Sequence, residues 1–74
     1  MKKFAQNLME LRTRKGLTVD QLAAALDLPS TTIIGWENGK LNVKASHIIR
    51  LSRFFNISCD MIIGLKDMPP YIDL

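Results

Sequence analysis

Two stretches with helical spacing stand almost end to end in this chain, and the link between them is the tightest constraint on its fold. Leu22, Ala23 and Leu26 mark one apolar side and Ile33 and Trp36 another, with only Asp27-Leu28-Pro29 between them. Helices joined by a turn of three or four residues in this way cross steeply, so the second projects from the surface. The boundaries are written in the same residues. Thr18-Val19-Asp20-Gln21 matches a capping box, in which the threonine hydroxyl accepts from the third helical amide while the glutamine reaches back. The second helix therefore begins at Thr18 and ends near Asp27. Proline loses no hydrogen bond in a first turn, so a third helix starts at Pro29–Ser30 and stops at Asn38-Gly39.

Three further helices follow from periodicity. Phe4, Leu8 and Leu11, joined by Ala5 and Met9, predict a first helix over about residues 3–15 that Gly16 closes, with Leu17 folding back on the last turn. After a connection over Lys40–Lys44, the apolar residues Ile48, Leu51 and Phe55, widened by Ala45, Ile49 and Phe54, predict a fourth helix that Asn56 ends. Ser58 caps a fifth of about residues 59–63, with Ile57 and Ile62 placed as a hydrophobic staple and Gly64 as the stop. The expected fold class is all-α: one compact five-helix domain over residues 1–65, and an extended tail over 66–74, where two adjacent prolines sit and no period is visible. The expected core is Leu8, Leu11, Leu22, Leu26, Ile33, Trp36, Ile48, Leu51 and Phe55.

Composition narrows the functional classes. At 74 residues there is room for one core, and no apolar run approaches the roughly 20 residues that cross a membrane. The start Met1-Lys2-Lys3-Phe4 carries the charge of an export signal, but Gln6, Asn7, Glu10 and Arg12 break any apolar stretch after it, so the expected location is the cytoplasm. Cys59 is the only cysteine, which rules out an internal disulfide and the cysteine clusters of structural zinc. The net charge of +3 suits a polyanionic partner.

The faces of the third helix point to one such partner. At about 100° per residue, Ser30, Thr31, Ile34, Gly35 and Asn38 fall in one arc of roughly 140°, and Ile33 and Trp36 point the other way as inward anchors. The outward arc is uncharged and short-chained, so it can approach base edges in a DNA major groove without burying an unpaired charge.

At these residues the chain also resembles a known family. Leu17-Thr18, Leu22-Ala23, Ile33, Trp36-Glu37-Asn38-Gly39-Lys40, Ile57-Ser58-Cys59-Asp60 and Gly64-Leu65 look like the Cro and phage-repressor type of helix-turn-helix domain, over about residues 4–65 without a gap. The resemblance implies a five-helix domain of a transcriptional repressor that dimerises on palindromic operators of double-stranded DNA, with its third helix in the major groove. On this chain it assigns bases to Ser30, Thr31, Ile34 and Gly35. It assigns phosphates to the amides opening helix two at Thr18–Val19 and to Asn38, Lys40 and Lys44. It pairs Arg12 with Glu37 as a structural tie between helices one and three. Three departures stand out: Val19 where the family often has glutamine, Asp27 in place of the turn glycine, and no long polar reader in helix three. Ile34 can meet a thymine methyl, but no bidentate arginine or glutamine contact is available.

The remaining candidates read as structure. His47 is expected on the polar side of helix four with no second ligand at metal spacing, and Cys59 in a capping turn beside Asp60, which opposes thiolate formation. No glycine-rich phosphate loop, paired carboxylate or nucleophile with a histidine partner is evident, so neither an enzyme nor a cofactor is expected. The rival of a different class is a protein-interaction module, such as an antitoxin or adaptor, that grips a protein through Ile34 and the tail. Met68, Tyr71, Ile72 and Leu74, with the fifth helix, are the expected dimer surface.

Overall fold

The computed structural model describes residues 2–72, which form five helices: α1 Lys2–Arg14, α2 Val19–Leu26, α3 Ser30–Glu37, α4 Ala45–Phe55 and α5 Cys59–Ile63. The boundaries lie where local chemistry puts them. The reciprocal capping box is present, with the Gln21 amide donating to Thr18 Oγ1 at 3.1 Å and the Thr18 amide to Gln21 Oε1 at 2.9 Å. Behind it, Gly16 takes φ 74° and the Leu17 amide reaches back to the Arg12 carbonyl at 3.0 Å, closing α1 with a left-handed turn. Asp27 does the same for α2 at φ 56°, a conformation in which aspartate is tolerated. The chain then runs through Leu28 to Pro29, which caps α3 with extended backbone and no side-chain bond.

The core gathers one stripe from every helix: Phe4, Leu8 and Leu11 from α1, Leu22 and Leu26 from α2, Ile33 and Trp36 from α3, Leu51 and Phe55 from α4, and Ile62 from α5. Phe4 meets Trp36 edge to face with ring centroids 6.1 Å apart, which ties the two ends of the core. α1 packs against both α3 and α5, and α2 packs against α3.

Several expectations need correcting. Met9 and Ile49 are exposed, not core-facing. On α1 the stripe axis runs near Phe4, and Met9 lies about 140° from it, whereas Asn7 lies only about 60° away. Asn7 is accordingly buried, and its amide donates to the carbonyls of Met61 at 2.9 Å and Ile62 at 3.1 Å. A polar residue that interrupts the apolar pattern of α1 thus satisfies carbonyls at the end of α5. Ile48 is half-buried. His47 is not an ordinary surface residue: its ring packs on Trp36 at a centroid distance of 5.3 Å, and its Nδ1 is sealed from solvent without a hydrogen-bond partner among the described residues. Among the described residues, the tail beyond α5 has no regular structure but does not hang free. Met68 and Ile72 pack against the core, and Arg14 Nη1 donates to the Pro69 carbonyl at 3.0 Å. Leu74 lies outside the described residues.

Because Asn7 supplies two hydrogen bonds to α5, Asn7→Ala should destabilise the domain by about 1–3 kcal/mol. Hydrogen exchange should place the loss at α5, with the amides of α2 and α3 protected in proportion to global stability; uniform loss across all helices would show that Asn7 acts otherwise.

Candidate functional site

The surface of interest is the outer side of α3. Its inner side is fixed by Ile33 and by Trp36, which is 2% exposed, so the roll of the helix about its own axis is set by the core. Thr31 and Asn38 are exposed on the opposite side, and Ile34 keeps 49% of its surface open. These three residues share one arc and face solvent together.

Both edges of the expected arc are occupied by neighbours. Gly35, at one edge, is buried: the chain turns back after α3, with the Lys40 and Leu41 amides donating to the Gly35 carbonyl at 2.9 and 3.0 Å, and the Leu41 side chain lies where a Cβ on Gly35 would collide with it. Gly35 is therefore a packing position, and Leu41, which the sequence did not single out, covers that flank. The other edge is Ser30. It is half-buried, and its hydroxyl donates to Asp20 Oδ1 in the first turn of α2 at 2.6 Å. Thr31, Ile34 and Asn38 remain open between the two.

Of the backbone groups expected to meet phosphate, the Thr18 amide is already used by the capping box, because Gln21 reaches back to it. The Val19 amide has no partner among the described residues. The Val19 side chain turns inward against the core. Asn38 accepts the Lys40 amide on Oδ1 at 3.0 Å, which leaves its side-chain amide nitrogen to donate outward. Lys40 and Lys44 are exposed on the connection that follows α3. An open cleft between the start of α1 and the end of α3, lined by Lys2, Ala5, Gln6, Glu37, Asn38 and Gly39, brings a further cation to the same edge. Sequence spacing carries no signal for Lys2, since it is the tertiary contact of α1 with α3 that moves it there. Two further basic residues near α1 are engaged elsewhere: Arg14 with Glu10 at 2.7 Å, and Lys15 over the Phe54 ring at 5.2 Å.

Beneath this surface Arg12 and Glu37 meet as a two-pronged pair, Nε to Oε2 at 2.7 Å and Nη2 to Oε1 at 3.0 Å, while Nη1 donates to the Leu17 carbonyl at 2.8 Å. The hydrogen bond with Glu37 raises the proton affinity of the Arg12 guanidinium above its ordinary value, burial opposing and the Glu37 charge assisting. The pair is structural: it joins α1, the turn after it and the last residue of α3. Among the described residues, no group of three His, Cys, Asp or Glu side chains could hold a metal ion, and no helix is long and apolar enough to cross a membrane.

Comparison with known proteins gives a consistent picture. A family model described as helix-turn-helix matches residues 8–62. The chain is 34% identical over 65 residues to the HTH-type transcriptional activator BcrR of Enterococcus faecalis, covering 88% of this chain and 32% of that protein. It is 30% identical over 66 residues to the uncharacterised HTH-type transcriptional regulator YobD of Bacillus subtilis, covering 89% of this chain and 59% of that one. A crystal structure of a transcriptional regulator from Listeria innocua superposes with a TM-score of 0.78 at 28% identity, over 95% of this chain and 64% of the other. The chain therefore spans about a third and about three fifths of the lengths of the two curated relatives.

With side-chain exposures of 15% and 7%, the Arg12–Glu37 pair is mostly shielded, and breaking it from one side strands a charge. Glu37→Ala should cost about 2–3 kcal/mol in chemical denaturation, somewhat below a fully buried pair. Arg12→Met with Glu37→Met should recover most of that loss; a double variant as unstable as the single one would mean that the packing, not the stranded charge, sets the cost.

Proposed function

Since the chain belongs to the helix-turn-helix family, we propose that it is a transcriptional regulator that binds double-stranded DNA with α3 in the major groove. The observation that carries this reading is the orientation of α3: Trp36 is locked inside while Thr31 and Ile34 stand open on a helix that leaves α2 through a three-residue turn. Thr31 and Ile34 read bases, the threonine hydroxyl by hydrogen bonding and the isoleucine against a thymine methyl. Ser30 takes part at the edge of the arc. Phosphates are held on one side by the Val19 amide at the start of α2, where a helix N-terminus favours anions. On the other side they are held by Asn38, Lys40, Lys44 and Lys2.

One helix of this size covers only a few base pairs, so two copies bind a palindromic operator with half-sites about 34 Å apart. Met68 and Ile72 pack against the domain's own core, which leaves Leu65 and Tyr71, at 75% and 78% exposure, as the most open apolar side chains that the described part of this end offers to a second copy. The regulator acts in the cytoplasm as a repressor that occupies a promoter, which needs no surface beyond the one that grips DNA. The relative in Enterococcus faecalis is named an activator, so a promoter–reporter fusion with and without the chain decides the sign.

Selection from a random duplex pool at near-physiological salt should enrich a two-fold symmetric sequence. Thr31→Ala and Ile34→Ala should each lower affinity for it by about 1–3 kcal/mol and relax the preference at one base pair per half-site. Unchanged affinity and preference in both variants would remove α3 as the reader. Binding should also weaken steeply between about 50 and 200 mM salt as counterions are released, with Lys40→Ala and Lys44→Ala each reducing the slope by about one. An interaction that holds its strength across that range would favour the protein-gripping alternative, in which the exposed Ile34 enters a partner protein.

A further inference from the structure

The contact between Ser30 and Asp20 fixes more than the position of a side chain. A serine hydroxyl has one proton to give and two lone pairs to receive with, and a free serine in a major groove can therefore meet base edges of either kind. Here the proton is already committed. Asp20 Oδ1 sits 2.6 Å from Ser30 Oγ, the separation of a hydroxyl bonded to a carboxylate. An ionised carboxylate has no proton to return, so the bond has only one direction. What Ser30 presents outward is an oxygen with lone pairs alone.

From this we infer that Asp20 is a specificity-determining residue: it turns Ser30 into an obligate acceptor, so that the start of α3 selects a base whose major-groove edge carries an amino group and rejects one that offers only acceptors. Guanine presents N7 and O6, and thymine O4, to the groove; each sets lone pair against lone pair at Ser30. Cytosine N4 and adenine N6 both donate. Asp20 has a second effect. It lies in the first turn of α2, beside the Val19 amide, so its charge weakens the hold on phosphate whatever the sequence. The residue thus lowers indiscriminate affinity while it sharpens the choice at one base pair. This inference rests on the DNA-binding reading above.

The test uses the full chain and its Asp20→Ala, Ser30→Ala and doubly substituted variants. Each is put through selection from a random duplex pool, then titrated against four duplexes that differ only in the base pair whose preference Ser30→Ala changes. The unsubstituted chain should prefer cytosine or adenine on the contacted strand by about five- to tenfold over guanine or thymine, the smaller end of what one base contact contributes. Asp20→Ala should reduce that spread to about twofold while binding unrelated duplexes several times more tightly, since a negative charge near phosphate has gone. The double variant should discriminate as Ser30→Ala alone does, neither more nor less, because Asp20 sets the preference only through the serine hydroxyl. A merely structural role for Asp20 would instead lower affinity for all four duplexes alike. Preference for guanine or thymine at that pair, or an Asp20→Ala variant that keeps the original preference, overturns the inference and leaves the DNA-binding reading standing. A chain that enriches no sequence at all overturns both.

Discussion

Arg12 reaches across from α1 and holds Glu37, the last residue of α3, in a planar two-pronged grip while its third nitrogen ties down the Leu17 carbonyl. Three separate pieces of chain are registered by one side chain. The same α3 is anchored by Ile33 and Trp36 in the core, with Phe4 of α1 against the indole. Apolar packing alone tolerates some rotation and sliding, whereas a bidentate guanidinium–carboxylate contact is intolerant of either. Together they leave α3 one rotational setting, and every role assigned to its outer side depends on that setting.

The fold was legible because its punctuation is local. Thr18 and Gln21 specify the start of α2, Gly16 the end of α1, and Ser58 the start of α5; each acts within a few residues of itself, so spacing along the chain is enough to find it. What spacing missed is tertiary. Asn7 reads as a break in an apolar stripe until α5 is placed against α1, and His47 reads as a solvent residue until Trp36 arrives beneath it. The tail has no period to interpret, and the core against which Met68 and Ile72 pack exists only after the helices have come together.

The outer side of α3 divides in the same way. The wheel put Thr31, Ile34 and Asn38 outward, where they are, because their directions follow from helix geometry alone. Gly35 and Ser30 sit at the two limits of the arc, and there the neighbours decide. Leu41 folds back over the glycine, and Asp20 receives the serine hydroxyl across the turn. A helical wheel has no knowledge of what borders it, so its edges are where such arithmetic gives out. At Thr18 the neighbour is closer still: the side chain that identifies the cap also engages the amide expected to meet phosphate.

One feature of the core has a spectroscopic side. Trp36 is the chain's only tryptophan, it lies on α3, and its ring rests against the imidazole of His47 and the ring of Phe4. Ultraviolet emission from this protein therefore comes chiefly from a single indole whose wavelength follows its shielding from water and whose intensity follows the imidazole beside it. The domain carries an unlabelled optical gauge built into the back of the helix that faces outward, able to register a fraction of a turn of that helix without any dye attached.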